Sequence, residues 1–389
     1  MKGDFILLGI TGAAILAVPM SVLMLNGGAE ALPPTVTVTD PPAVTTQTQS
    51  AHSESSVGES WLSTPIEGGK APAPTPPPAE KPSEAESTAE SVTETREDSA
   101  SRYRLSRKSF RILNRGTGKV EEVELRDYLR GAIAAEMPAS FHSEALKAQG
   151  VAALTYALYH AAEQEENPDP LLLGAHFSAD PAKREGYMTE KAAKKFYGDN
   201  RLYNWNKVCD AADEAMKWVI LSEGEPIAAA YHAISAGSTE DARNIWGMAM
   251  PGLTPVDSSW DILAKGYKSS VTLSQGEIKE KLAESGITLL PNADTWFEIL
   301  ERSPSGYVTR VRVGNRDMNG NKLRNMLGLR SSSFQLERQG KDFLFLVSGY
   351  GHGAGLSQNG ADYMARQGSG FTEILEHYYP ACTLGRVTP

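Results

Sequence analysis

Glu136 is the residue whose setting in this sequence points most directly to chemistry. It continues an apolar stripe with a spacing of three and four residues, formed by Leu125, Tyr128, Leu129, Ala132 and Ile133. A carboxylate on such a face is costly to bury, and desolvation raises its pKa toward the range of a general acid. The alternative is a structural glutamate at the edge of the core, capping a neighbouring helix or pairing with Arg130 or Lys147.

A second candidate is the glycine-rich segment 349–355, which contains His352. Its glycines alternate with other residues, so neither a dinucleotide-binding fingerprint nor a phosphate loop is present. The following residues, 355–359, do not form a nucleophile elbow. Glycines permit close approach of a ligand, so backbone N–H groups and His352 could face a substrate. The alternative is a tight turn in which His352 is satisfied internally.

Segment 231–240 consists of small and polar residues and follows a predicted strand, so it could line a cleft; the alternative is an ordinary loop.

The sequence gives little support for a metal site. The histidines are scattered without a ligand-like spacing, and the two cysteines, Cys209 and Cys382, exclude both a disulfide scaffold and a four-cysteine zinc site. We therefore expect no metal or other cofactor.

The elements that must position these residues are mixed. Segment 110–124 predicts a β-hairpin, and the stripe before Glu136 predicts a helix that ends at Pro138. The further predicted elements are a helix from about Ser143 to Ala162, a hairpin from 217–223 and 226–232, strands Tyr307–Val313 and Phe343–Ser348, a helix from the N-cap Ser357 to Gly368, and a helix that begins at Thr372 and stops before Pro380. This order predicts an α+β fold, either one mixed body or two lobes around a cleft.

Composition divides the 389 residues unevenly. The net charge of −10 argues against a general nucleic-acid binder. Residues 27–100 hold twelve acidic and three basic residues and eleven of the 23 prolines, which predicts a disordered, self-repelling tether. We expect a cytoplasmic tip at 1–4, a transmembrane anchor at 5–25, this tether, and a folded body at 101–389.

The anchor rests on 21 uncharged residues, Phe5 to Leu25, long enough for a helix to cross the roughly 30 Å hydrocarbon core. Because the next basic residue after Lys2 is Lys70, the N-terminus is expected in the cytoplasm and the body outside. The alternative is a cleaved signal peptide, with Ala29-Glu30-Ala31 as a faint cleavage pattern.

Three blocks of the body resemble the stage II sporulation protein D family of membrane-anchored lytic transglycosylases. They are LRGAIAAEMPASFHSEALKAQGVAALTY at 129–156, AYHAISAGSTEDARNIWG at 230–247 and SGYGHGAGLSQNGADYMARQGSGFTEILEHYYP at 348–380. The resemblance extends over most of 120–384. It implies cleavage of peptidoglycan between N-acetylmuramic acid and N-acetylglucosamine, leaving a 1,6-anhydro end, on strands already stripped of stem peptides.

The resemblance also implies the setting and the residues. The partners would be the amidase stage II sporulation protein P and the membrane scaffold stage II sporulation protein M, on the mother-cell side of the sporulation septum. Glu136 matches the catalytic glutamate and would serve as acid and then base. The expected substrate-binding residues are Lys147, Tyr231, Ser235, Ser238, His352, Ser357 and Gln358.

The chain departs from the family pattern at Leu154, where arginine is usual, and at Gly252, where tyrosine is common. Some members carry a His/Cys zinc site, but the corresponding stretch 176–187 has a histidine and no cysteine. These departures motivate an alternative: a weakly active or non-catalytic wall protein of the same family that binds glycan and enhances an amidase.

Overall fold

The computed structural model describes residues 101–388. The strands within them are β1 Ser101–Arg104, β2 Ser109–Asn114, β3 Lys119–Glu124, β4 Phe177–Ala179, β5 Trp218–Ser222, β6 Glu225–Pro226, β7 Tyr231–His232, β8 Lys268–Leu273, β9 Phe297–Arg302, β10 Val308–Val313, β11 Arg316–Met318, β12 Phe334–Gln339, β13 Asp342–Ser348, β14 Leu356–Ser357 and β15 Thr383–Thr388. The α-helices are α1 Leu125–Glu136, α2 Ser143–Glu166, α3 Glu190–Tyr197, α4 Arg201–Ala215, α5 Ala242–Trp246, α6 Gln275–Leu282, α7 Gly320–Leu327, α8 Gln358–Arg366 and α9 Phe371–Tyr378. The predicted α+β class is confirmed for these residues.

The strands form small sheets rather than one continuous sheet. Their orders within the described residues are β3-β2-β4, β1-β15-β5-β6, β7-β14, β12-β13-β8 and β11-β10-β9. Of these, the pair β7-β14 matters most for function, because it joins the middle and C-terminal sequence blocks in parallel register, Tyr231 opposite Leu356 and His232 opposite Ser357.

The larger of two hydrophobic cores surrounds α2. Its fully buried residues include Leu129 and Ile133 from α1, Leu146 and Val151 from α2, and Val208 from α4. α2 is buried on nearly all sides, as expected for a helix that is apolar around its whole circumference. The smaller core lies between the two three-stranded sheets of segment 268–348 and helices α6 and α7.

The stripe that predicted α1 is confirmed. Each of its residues is buried, and the helix ends at Glu136. Met137 is extended, with φ −121° and ψ 142°, because the following Pro138 excludes helical geometry. The chain therefore turns directly after Glu136 and leaves its carboxyl at the C-terminal end of a buried helix.

Two predictions need correction. α2 extends to Glu166, four residues beyond the predicted end. The hairpin of 217–223 with 226–232 is wrong beyond its turn, because β5 pairs with only two residues of β6. Residues 227–230 leave that sheet, and β7 instead pairs with β14 from the far end of the chain.

Other elements follow the sequence closely. The hairpin β2-β3, the strands β10 and β13, and helix α8 with its N-cap Ser357 are confirmed. α9 begins at Phe371, one residue before the predicted start. No helix within 101–388 is long and apolar enough to cross a membrane. The predicted anchor at 5–25 and tether at 27–100 lie outside the described residues.

Candidate active site

Glu136 is buried at the end of α1, with 1% of its surface exposed. Its Oε2 has no hydrogen-bond partner among residues 101–388. Burial raises the pKa of this carboxyl from 4.5 to about 8, while a hydrogen bond from the Gln358 side chain lowers it. Loss of solvent destabilises the carboxylate, and one neutral donor compensates for only part of that cost. Glu136 is therefore mainly protonated at neutral pH and can donate a proton.

The two cations considered as partners for Glu136 are bound elsewhere. Lys147 Nζ lies 2.6 Å from Glu144 Oε1, and Arg130 Nη2 lies 3.1 Å from Asp213 Oδ1. The alternative of a structural ion pair for Glu136 is therefore wrong for both cations. Lys147 remains partly exposed, and its expected role in binding substrate stays a prediction.

Tyrosines surround the Glu136 carboxyl. Burial raises the pKa of Tyr128, Tyr156 and Tyr231, and the charge of Glu136 raises it further in each case. The rings of Tyr156 and Tyr231 lie 6.4 Å apart and both are partly exposed. All three hydroxyls stay protonated, so the carboxyl has neutral, polar neighbours rather than a fixed counter-charge.

Gln358 connects the acid to the glycine-rich segment. It is the first residue of α8, and its Nε2 donates to Gln149 Oε1 at 3.3 Å. Both glutamines are buried. Because Gln358 also donates to Glu136, side chains from α1, α2 and α8 meet here. The sequence predicted Glu136 and Gln358 as site residues, and the structure brings them together.

The β7-β14 pair fixes where α8 begins. Gly355, just before β14, has φ +69°, and a Cβ there would lie 2.0 Å from the carbonyl oxygen of Ala230. Only glycine permits this approach. The glycine-rich segment therefore has two features of interest. It contains His352, and its close packing allows β14 to pair with β7, which fixes the position of Gln358 directly after β14.

His352 is partly exposed and packs between two rings. Its ring centroid lies 5.2 Å from that of Trp246 and 5.8 Å from that of His232. Burial, together with the neighbouring His232 and Arg324, lowers the pKa of His352 well below its usual range. Its Nδ1 accepts a hydrogen bond from Ala354 N at 3.1 Å, so the neutral ring carries its proton on Nε2.

His232 is fully buried, and burial lowers its pKa to about 4. Its Nδ1 lies 3.1 Å from the carbonyl oxygen of Ala354, which can only accept, so the proton is on Nδ1. Nε2 of His232 has no partner among the described residues. Both histidines at this site are thus neutral.

The three predicted serines have hydrogen bonds within the fold. Ser235 Oγ accepts from Gly237 N at 3.3 Å, and Ser238 Oγ donates to Val256 O at 2.9 Å. Ser357 Oγ donates to Asp261 Oδ2 at 2.6 Å. Ser235 and Ser357 are fully buried, whereas Ser238 is partly exposed. Their contact with substrate stays a prediction.

Sequence reasoning missed Gln149, Tyr156 and Asp261. Gln149 is a polar residue within the buried stretch 148–155 of α2, and that position is the signal that could have indicated it. The ring of Tyr156 fits the apolar surface of α2, so the sequence gives no separate signal for it. For metals, residues 101–388 contain no group of three His, Cys, Asp or Glu side chains arranged to hold an ion. Cys209 and Cys382 are both free thiols.

Comparison with known proteins places this site in context. Residues 114–221, which include Glu136 and Gln149, match the family model described as stage II sporulation protein. The chain is 34% identical to stage II sporulation protein D of Bacillus amyloliquefaciens and 31% identical to that of Bacillus subtilis, each over 67% of this chain and 74% of the relative. It is also 26% identical to the amidase enhancer of Bacillus subtilis, over 66% of this chain and 40% of that protein.

Proposed function

The chain belongs to the stage II sporulation protein D family, and on that premise we propose that it is a lytic transglycosylase acting on peptidoglycan during sporulation. The observation that carries the proposal is one buried glutamate, mainly protonated at neutral pH, whose Oε2 has no hydrogen-bond partner among residues 101–388. No Asp or Glu of the described residues contributes to the pKa shift of Glu136. Hydrolytic glycosidases use two carboxyl groups, one as acid and one to activate water or to attack the sugar.

A single acid suits a reaction in which the sugar supplies its own nucleophile. Glu136 donates its proton to the glycosidic oxygen between N-acetylmuramic acid and N-acetylglucosamine, and the bond from that oxygen to C1 breaks. The 6-hydroxyl of the muramyl residue then bonds to C1 and gives its proton to the Glu136 carboxylate. The product has a 1,6-anhydro ring, no water is consumed, and Glu136 returns to its protonated state.

The neutral surroundings of Glu136 support both steps. A pKa of about 8 lies close to ambient pH, so neither the acid form nor the carboxylate is strongly disfavoured. The carboxylate formed after the first step is stabilised by the Gln358 hydrogen bond. The hydroxyls of Tyr156 and Tyr231, which stay protonated, supply donors of the kind that sugar hydroxyls bind.

The setting is part of the proposal. We assign residues 5–25 as the membrane anchor, with the body outside the cytoplasm on the mother-cell side of the septum. The substrate is glycan from which the amidase stage II sporulation protein P has removed stem peptides, and stage II sporulation protein M is the membrane scaffold. An acidic, proline-rich tether suits a body that must reach the wall from a membrane.

The second candidate is a glycan-binding protein that enhances an amidase without cleaving the strand. Similarity to the amidase enhancer favours it, as do the departures at Leu154 and Gly252. Leu154 is fully buried in the larger core. Gly252 has φ +71°, with Cys382 and Tyr379 packed against it. Both departures are thus accommodated by packing within the fold.

The deciding experiment incubates the full chain with peptide-free glycan strands and analyses the products by mass spectrometry. We expect anhydro-muramyl products from the wild type and none from Glu136→Gln. Glu240→Gln is the matched control, because Glu240 is equally buried but is bound by Asn244 and Ser303. Equal product from wild type and Glu136→Gln would refute the catalytic assignment, whereas strand binding with amidase stimulation and no product would favour the second candidate.

A further inference from the structure

Asp261 is a buried carboxylate to which the reaction above gives no role. It lies in a short 3-10 turn, Ser259–Leu263, and 1% of its surface is exposed. Its Oδ2 accepts hydrogen bonds from Ser235 N at 2.7 Å, Ser258 Oγ at 3.1 Å and Ser357 Oγ at 2.6 Å. One oxygen atom therefore joins three segments that are far apart in the sequence.

The contacts of Asp261 favour its ionised form. A proton on Oδ2 would compete with the three donors that bind this atom. The 2.6 Å bond from Ser357 has the length of a hydroxyl bound to a carboxylate. Burial raises the pKa of Asp261, and the hydrogen bonds from Ser357, Ser235 and Ser258 oppose that rise.

Ser357 transmits this contact to helix α8. Its hydroxyl donates to Asp261 and accepts from Gly360 N at 3.3 Å, so Ser357 is the N-cap of α8. Because a hydroxyl has one proton, the bond to Asp261 orients its lone pairs toward the helix N–H groups. The negative charge of Asp261 also lies near the positive end of the helix, where it is stabilising.

The next residue along the helix is Gln358, which donates to Glu136. We propose that Asp261 is a positioning residue for the acid: by holding Ser357, it fixes the start of α8 and so keeps the Gln358 side chain beside Glu136. The proposal rests on the proposed function in taking Glu136 as the proton donor. Asp261 touches no reacting atom and acts only through Ser357 and Gln358.

The charged and titratable groups around the two acids are compatible with this route. The groups facing Glu136 are Tyr128 from α1, Tyr156 from α2 and Tyr231 from β7. The charge of Asp261 acts on Tyr267, Tyr307 and Tyr378. The two sets have no tyrosine in common.

The test is Asp261→Asn, which keeps the size of the side chain and removes its charge. In 13C NMR of the full chain with labelled glutamate carboxyls, the Glu136 signal is identified as the one lost in Glu136→Gln. We expect its pKa to rise by about one unit, the effect of losing one hydrogen bond to the carboxylate. The pKa that sets the alkaline limb of the pH profile of cleavage should rise by the same amount. The kcat should fall roughly tenfold, with KM little changed.

Asp180→Asn is the matched control, because Asp180 is 3% exposed and lies at the end of β4 beside Lys183. It should leave the Glu136 titration unchanged. Ser357→Ala removes one bond and leaves Asp261 bound to Ser235 and Ser258, so it tests the route even if Asp261→Asn fails to fold. In a Gln358→Ala background, Asp261→Asn should shift the Glu136 pKa no further.

An unchanged Glu136 titration in Asp261→Asn and Ser357→Ala, or full additivity with Gln358→Ala, would overturn the proposal. The NMR titration does not depend on turnover. If wild type releases no product but the Glu136 pKa still moves as expected, the positioning role holds and the proposed function fails. If product forms and the pKa does not move, the proposed function holds and the positioning role fails.

Discussion

Replacing Glu136 with glutamine should change how the stability of the protein depends on pH. Glutamine has the shape of the protonated acid and cannot ionise. In the wild type, burial raises the pKa of Glu136 from 4.5 to about 8, so folding favours its neutral form. The variant is fixed in a neutral form at every pH. The difference in unfolding free energy between the two proteins therefore isolates the titration of this one side chain.

The sign follows from proton binding. Between pH 4.5 and about 8 the folded wild type retains a proton that the unfolded chain has lost, so its stability falls as pH rises. Below pH 4.5 the Glu136 carboxyl is protonated in both the folded and the unfolded chain, and its contribution to stability is fully present. The shift from 4.5 to about 8 corresponds to about 5 kcal/mol above pH 8, and to about 3 kcal/mol at pH 7, at roughly 1.4 kcal/mol for each pH unit. Glu136→Gln cannot ionise, so it does not lose this stability as the pH rises.

Urea unfolding of wild type and variant from pH 4 to 9 measures the difference directly. Titrations elsewhere in the chain are common to both proteins and cancel. Glu166→Gln, which changes an exposed glutamate on α2, is the control and should follow the wild type at every pH. A difference between wild type and Glu136→Gln that is constant from pH 5 to 9 would mean that Glu136 ionises normally, and the acid mechanism would lose its basis.

Two further predictions concern the framework of the site. Gly355→Ala places a Cβ 2.0 Å from the Ala230 carbonyl at φ +69°; we expect a loss of about 2 kcal/mol or more, seen in thermal unfolding, with weakened glycan cleavage as β14 moves away from β7. A wild-type melting temperature would contradict this close approach. Leu154→Ala should cost about 2–5 kcal/mol because Leu154 is fully buried in the larger core. Unfolding by urea measures it, and a loss below about 1 kcal/mol would show that the helix surface there is not packed.

Local patterns in the sequence were sufficient for the elements that depend on near neighbours. The stripe before Glu136 predicted α1, and Pro138 predicted its end, because both effects act within one or two turns of helix. The hairpin after β5 failed for the opposite reason. Residues 227–232 have the composition of a strand, but β7 pairs with β14, more than 120 residues away. Composition indicates that a segment can be a strand and does not identify its partner.

The residues of the candidate site also differ in whether near neighbours in the sequence or tertiary contacts make them recognisable. Glu136 was predictable because a carboxylate on an apolar stripe conflicts with its surroundings within the sequence itself. Asp261 was not, because two of its three hydrogen bonds come from the distant residues Ser235 and Ser357. The role of Gln149 likewise depends on how α2 faces α8. Side chains whose importance lies in a tertiary contact leave little trace in the sequence around them.

Lys147 is ion-paired with Glu144 and not with Glu136, which agrees with the proposed role of Glu136 as acid and then base. A lysine bonded to Glu136 would hold it as a carboxylate and leave it without a proton to donate. Lys147 instead bonds to Glu144, whose other oxygen accepts from Phe371 N at 3.0 Å. Glu144 thus holds the lysine at the start of α2 and docks α9 at the same time. With that cation bound to Glu144, burial and one neutral amide set the proton affinity of Glu136, and a carboxyl balanced in this way can release a proton and take it back.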